Sequence, residues 1–125
     1  MHETRGRILC IEPSSDICEM VQRLLRERGY ETDSAGTLAD AVAKARHTHY
    51  VLFIVDDYYP DGTNTELVTR LRALAPLTPI IVFSAYVFEH DRQAALDAGA
   101  NLFLSKPEGI TELSPAIAYL LQPAR

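Results

Sequence analysis

Four short apolar runs recur along the chain without alternation: RILCI at 7–11, VLFIV at 51–55, PIIVF at 79–83 and NLFL at 101–104. A fifth stretch, YETDSA at 30–35, alternates only loosely. Unalternating runs of four or five residues predict strands covered on both faces, and hence a parallel sheet. Between the runs the spacing becomes helical. Ile17, Val21, Leu24 and Leu25 fall on one stripe over 15–28, with Gly29 as the stop. LADAVAKAR at 38–46 follows Thr37, a predicted N-cap. Leu67, Val68, Leu71 and Leu74 mark a helix over 65–75 that ends before Pro76, Ala94, Ala95 and Ala98 mark one over 89–98, and a last helix runs to about Leu121. The order is strand then helix, five times over. That predicts an α/β fold, a doubly wound five-stranded parallel sheet with five helices on its two faces.

In such sheets functional sites lie at the carboxyl ends of the strands. The first run hands over to Glu12, the third to Asp56, the fourth to Ser84 and the fifth to Lys106. One edge of the sheet is thus expected to carry two carboxylates, a hydroxyl and an ammonium. Lys106 is one of only two lysines, the other being Lys44. Paired carboxylates suit a hard cation such as Mg²⁺, and the ammonium and hydroxyl suit an anionic group. Together they fit phosphoryl transfer onto an aspartate. No glycine-rich loop follows the first run, which argues against a bound nucleotide.

Composition narrows the setting. A chain of 125 residues suits one domain, taken as residues 1–125 with a core of about 6–121. The net charge of −5, with no basic cluster, argues against direct binding to nucleic acid or an anionic membrane surface. No run approaches the ~20 apolar residues of a membrane span, and the N-terminus lacks a signal-peptide pattern, so the expected compartment is the cytoplasm. Cys10 and Cys18 fit buried thiols better than a disulfide or metal pair. His47 and His49 have no third ligand nearby in sequence, and read as a solvated helix end rather than a zinc site.

These motifs resemble the receiver domain of bacterial two-component response regulators, the CheY-like family, over nearly the whole chain. VLFIVDDYYPDG resembles the third strand and the turn in which the phosphoacceptor stands four residues before a proline, which selects Asp56 over Asp57. PIIVFSA resembles the fourth strand with its hydroxyl residue, Ser84, and DAGANLFLSKP the approach to a Lys-Pro pair, Lys106 and Pro107, whose bond is typically cis in the family. The resemblance implies a flavodoxin-like sheet of strand order 2-1-3-4-5. It implies a phosphoryl group accepted on Asp56 from a histidine kinase or phosphotransfer protein, held by Lys106 and Ser84. Mg²⁺ is expected on Glu12, Asp56 and the backbone carbonyl of Tyr58, with Ser84 and Phe103 as switch residues signalling to a downstream protein or output domain. Tyr58 and Tyr86 take positions that modulate hydrolysis. The module is not expected to be an enzyme in its own right. A homodimer through the fourth helix, fifth strand and last helix is a further implication.

Departures from the pattern carry expectations too. Pro13 stands where the family has its second, metal-binding acid, which favours an alternative: a degenerate pseudo-receiver that binds partners without phosphorylation. Asp16 is expected to serve the start of the first helix. Tyr59, before Pro60, is expected to pack. Asn64 replaces a common glycine and is expected to tolerate a left-handed turn. Pro115 suggests that the last helix starts late, with Ser114 as its N-cap.

Overall fold

Alternating side chains on each buried strand sort the core into two layers. In a computed structural model, which describes residues 4–85, 88–106 and 110–122, β1 (Arg7–Ile11) sends Leu9 and Ile11 to one face and Ile8 and Cys10 to the other. All four are essentially sealed from solvent, and each aliphatic side chain so buried contributes about 1.5–3 kcal/mol. The first face packs on α2 (Leu38–His47), α3 (Asn64–Leu74) and α4 (Glu89–Ala98), through Leu38, Ala41, Val42, Leu67, Val68, Leu71 and Ala95. The second face packs on α1 (Ser15–Glu27) and α5 (Ile110–Leu120), through Cys18, Val21, Leu25, Leu113 and Ile117.

The other elements are β2 (Glu31–Ala35), β3 (Leu52–Val55), a small hairpin of β4 (Tyr58–Tyr59) and β5 (Gly62–Thr63), β6 (Ile80–Ser84) and β7 (Leu102–Ser105). The large sheet has the order β2-β1-β3-β6-β7, all pairs parallel. Counting only its own five strands, that is the expected order 2-1-3-4-5. Side-chain caps set the helix starts: Ser14 accepts from the Ile17 amide, Thr37 from Asp40 and Thr63 from Glu66. None of the helices among the described residues is long and apolar enough to cross a membrane.

Three local expectations are corrected. The β4–β5 hairpin was not foreseen, because two-residue strands leave no periodicity to read. Asn64 opens α3 with ordinary backbone, since no non-glycine residue among those described has positive φ; Thr63 as N-cap removes the need for a left-handed turn. The last helix starts at Ile110, not at Pro115, which stands in its sixth position on the exposed side. Leu113 and Ile117, four residues apart and both buried against the α1 side, require the helix to run through the proline. Ser114 does not cap it; its hydroxyl accepts from Arg28 Nε at 3.1 Å.

A tie unseen in the sequence holds α3 to the end of α4 and to the segments leading into β6 and β7. The Arg72 guanidinium donates to the carbonyls of Gly99, Ala75, Pro76 and Thr78 and to Asn101 Oδ1. Gly99 ends α4 with φ of +124°, a conformation that leaves its carbonyl turned to Arg72 without a Cβ penalty.

Candidate functional site

The carboxyl ends of β1, β3, β6 and β7 bring Glu12, Asp56, Ser84 and Lys106 to one sheet edge. Lys106 sits at its centre. Its Nζ donates to Glu12 Oε1 and to Asp56 Oδ1, both at 2.7 Å, and stands 5.4 Å from the centre of the Phe83 ring. The three charged side chains are only 15%, 7% and 16% exposed for Lys106, Glu12 and Asp56. Such pairs are weakly screened by solvent and salt. Burial pushes the Glu12 carboxyl above the usual carboxylate range, and neighbouring Asp56 adds to the shift while Lys106 opposes it. Burial alone would lower the Lys106 ammonium, but its hydrogen bonds to Asp56 and Glu12 outweigh that and hold it above the usual lysine value. Glu12 Oε2 accepts from the Ser14 amide at 3.2 Å, so its carboxylate is fixed at both oxygens.

Asp56 is held from below by Tyr59. That ring is buried, and its hydroxyl donates to the Ile11 carbonyl while accepting from the Asp56 amide, each at 2.7 Å. The Asp56 amide also donates to Ile11 at 3.2 Å. Burial raises the Tyr59 hydroxyl far above the tyrosine range, so it stays neutral and able to donate. Beyond Asp56 the loop is pinned by Asp61, whose carboxylate accepts from the Leu38 and Ala39 amides at the start of α2, at 2.8 and 3.0 Å. Those bonds hold the Asp61 carboxyl below the usual range.

Asp57 takes different partners from Glu12 and Asp56. Its carboxylate accepts from the buried Ser84 hydroxyl and, at 2.9 Å, from the Ala85 amide. Burial raises its carboxyl above the usual range against those two bonds.

The response regulator receiver domain family matches residues 8–118. The chain belongs to that family. The KDP operon transcriptional regulatory protein KdpE of Escherichia coli is 36% identical over 115 residues, which are 92% of this chain and 51% of that protein. A CheY-like receiver domain from Methanospirillum hungatei has a TM-score of 0.87 at 28% identity, covering 92% of both chains. The receiver domain of a Pseudomonas aeruginosa sensor histidine kinase, with a magnesium ion coordinated in its active-site cleft, has a TM-score of 0.85 at 25% identity, covering 94% of this chain and 98% of that one. The chain spans about half the length of the curated relatives it matches. Receiver domains are signalling modules of two-component systems.

Of the residues anticipated for this receiver's site, Glu12, Asp56, Ser84 and Lys106 meet at one edge. Phe103 lies one layer away, half-buried on β7 opposite Val82 and packed on the α3–α4 side. Tyr58 leads the β4–β5 hairpin with its ring 58% exposed. Tyr86 and the Lys106–Pro107 bond lie outside the described residues. Pro13 is exposed, and Asp16 sits in the first turn of α1, also exposed. His47 and His49 are both exposed, and Cys10 and Cys18 are free buried thiols. Two contributors were missed. Asp57 was passed over when Asp56 was selected, and Tyr59 was read as packing alone; its place before Pro60 gave no hint of the hydroxyl's two bonds.

The donor set can be tested against a divalent cation. Among the described residues no three His, Cys, Asp or Glu side chains cluster as a metal site. Two carboxylates do converge, and Mg²⁺ commonly takes one or two carboxylates with water and substrate oxygens completing its shell. The residues therefore fit a lightly ligated Mg²⁺, one acid short of the family's pattern.

Proposed function

We propose that Asp56 is the phosphoacceptor of this receiver, taking a phosphoryl group from a phosphohistidine on a histidine kinase or phosphotransfer protein. The observation that carries this is Lys106 Nζ at 2.7 Å from both Asp56 and Glu12, in a pocket edge that also holds Ser84. An Asp56 oxygen forms the new P–O bond as the P–N bond of the donor imidazole breaks, and the released imidazole nitrogen takes its proton from water. Lys106 stabilises charge on the transferring oxygens. Glu12, Asp56 and the backbone carbonyl of Tyr58 would hold Mg²⁺, which when bound adds charge neutralisation at the phosphoryl oxygens. Ser84 and Phe103 pass the change to the α4–β7–α5 face, where a downstream protein, an output domain or a second copy of the chain would dock. Tyr58 and Tyr86, two positions after Asp56 and Ser84 in sequence, would tune hydrolysis. Residues 1–125 act as one receiver unit in the cytoplasm.

Incubation with a small acyl phosphate or beryllofluoride and Mg²⁺ tests this. The expected result is one phosphoryl group per chain, lost in Asp56→Asn. No uptake at tens of millimolar Mg²⁺ would falsify the reading. It would favour a second one, which the missing third carboxylate beside Glu12 supports: a pseudo-receiver that docks partners in a single, unphosphorylated state. Loss of one carboxylate ligand is expected to weaken Mg²⁺ about 10- to 100-fold.

A further inference from the structure

Asp57 has no part in that scheme, yet its carboxylate is one of the best-anchored groups at the edge. An O–H and an N–H at the end of β6 converge on it, from Ser84 and Ala85. Two such donors, one to each oxygen of the carboxylate, form a cradle for an anionic group. The cradle adjoins Lys106, because the Lys106 amide donates to the Ser84 carbonyl at 2.7 Å and the Lys106 ammonium reaches Asp56. A tetrahedral group grown on Asp56 beside Lys106 would turn its free oxygens toward the same two donors. In the unphosphorylated chain they are already satisfied by a carboxylate.

We infer that Asp57 is a positioning residue that occupies the phosphoryl-oxygen cradle of Ser84 and Ala85 and competes with the group on Asp56 for it. The inference rests on Asp56 being the acceptor. Two consequences follow from the charge and the contact. Uptake on Asp56 requires Asp57 to release both donors while remaining a like charge next to the incoming anion. The unphosphorylated chain also holds the buried Ser84 hydroxyl on Asp57, a contact that a phosphoryl oxygen would have to take over.

The test is a beryllofluoride titration of the full chain with Mg²⁺, comparing wild type, Asp57→Asn and Asp57→Ala, with Asp56→Asn as control. Both Asp57 variants are expected to half-saturate at about tenfold lower beryllofluoride, the size of one charge-assisted hydrogen bond removed from a competitor, and Asp57→Ala by at least as much as Asp57→Asn. A tether that only braces the loop would give the opposite: weaker uptake in step with a lower melting temperature. The Ala85 amide resonance supplies a second readout. It is expected to move in the unliganded Asp57→Ala protein and to return toward the wild-type position on beryllofluoride. Uptake by wild type that is abolished in Asp56→Asn but no tighter in either Asp57 variant overturns the inference and leaves Asp56 as acceptor. Absence of uptake in all variants removes the acceptor reading and this inference with it.

Discussion

Replacing Tyr59 by phenylalanine deletes one oxygen bonded to the Asp56 amide and leaves the ring. That oxygen bridges the ends of β1 and β3, donating to the Ile11 carbonyl and accepting from the Asp56 amide, both at 2.7 Å. The loss is smaller than two buried hydrogen bonds would suggest. The Asp56 amide still has the Ile11 carbonyl at 3.2 Å, so neither group is orphaned in the variant. A satisfied hydrogen bond contributes about 0.5–1.5 kcal/mol, and an orphaned partner costs about 1–3 kcal/mol. With orphaning avoided, Tyr59→Phe is expected to cost about 1–2 kcal/mol, or a melting point lower by roughly 5 °C. Tyr59→Leu also sheds ring volume from a buried site and is expected to cost about 3 kcal/mol or more. Guanidinium denaturation reads both, the midpoint falling with an unchanged slope. A Tyr59→Phe midpoint equal to wild type would refute the bridge. A loss above about 4 kcal/mol would refute the argument that Ile11 and Asp56 retain each other.

The remaining predictions follow from the same contacts. Lys106→Met leaves Glu12 and Asp56 facing each other without a cation and is expected to cost about 3–5 kcal/mol at neutral pH; the deficit should shrink near pH 5, because Glu12, already raised, takes up a proton more readily once the lysine is gone. Arg72→Ala severs the tie from α3 to five oxygen acceptors and is expected to cost about 2–4 kcal/mol in denaturant melts; Arg72→Lys should recover less than half, since an ammonium cannot reproduce the fork. Stability should fall on the alkaline side. Lys106 is raised in the fold, so its contribution is complete below the unfolded value of about 10.4 and is lost as pH climbs through the folded one. Tyr50, pushed up to about 12 by burial and by its 2.7 Å bond to Asp33, likewise favours the protonated form and loses its contribution between about pH 10 and 12. Melts of wild type and Tyr50→Phe across that range should diverge from their neutral-pH difference; parallel curves would contradict the assignment.

The sheet was legible because β1, β3 and β6 are buried on both faces and carry mostly apolar side chains, so run length marked them, while half-buried β7 was marked by its apolar run. Its polar residues were legible for a related reason: a buried strand cannot end in a charge except at the sheet edge. What escaped depends on contacts between segments distant in sequence. Arg72 reads as one more exposed helix arginine until Gly99, Thr78 and Asn101 are folded around it. The helix through Pro115 was misread because local backbone preference was weighed without Leu113 and Ile117, whose burial decides the outcome. Tyr59 was placed in the core correctly but without its hydroxyl's role, which needs the position of Ile11, some fifty residues earlier.

Pro13 and Asp57 become one question once the edge is assembled. The family's pattern supplies two acids after β1 and one after β3; this chain has one after β1, Glu12, and two after β3, Asp56 and Asp57. The number of carboxylates is the same, but one has moved from the cation's side to the Ser84 side. On the proposed reading both halves of that exchange act in one direction. Losing the acid at position 13 weakens the positive charge that would draw a phosphoryl group in, and gaining the acid at position 57 fills the donors that would receive its oxygens. Lys106 is then the cation paired with two of the three carboxylates, Glu12 and Asp56, while Asp57 rests on Ser84 and Ala85. The two effects separate by experiment, because higher Mg²⁺ should compensate for Pro13 but not for Asp57. A double variant, Pro13→Asp with Asp57→Asn, should therefore gain from each change by a similar factor, and the gains should add as free energies if the cation and the cradle act independently.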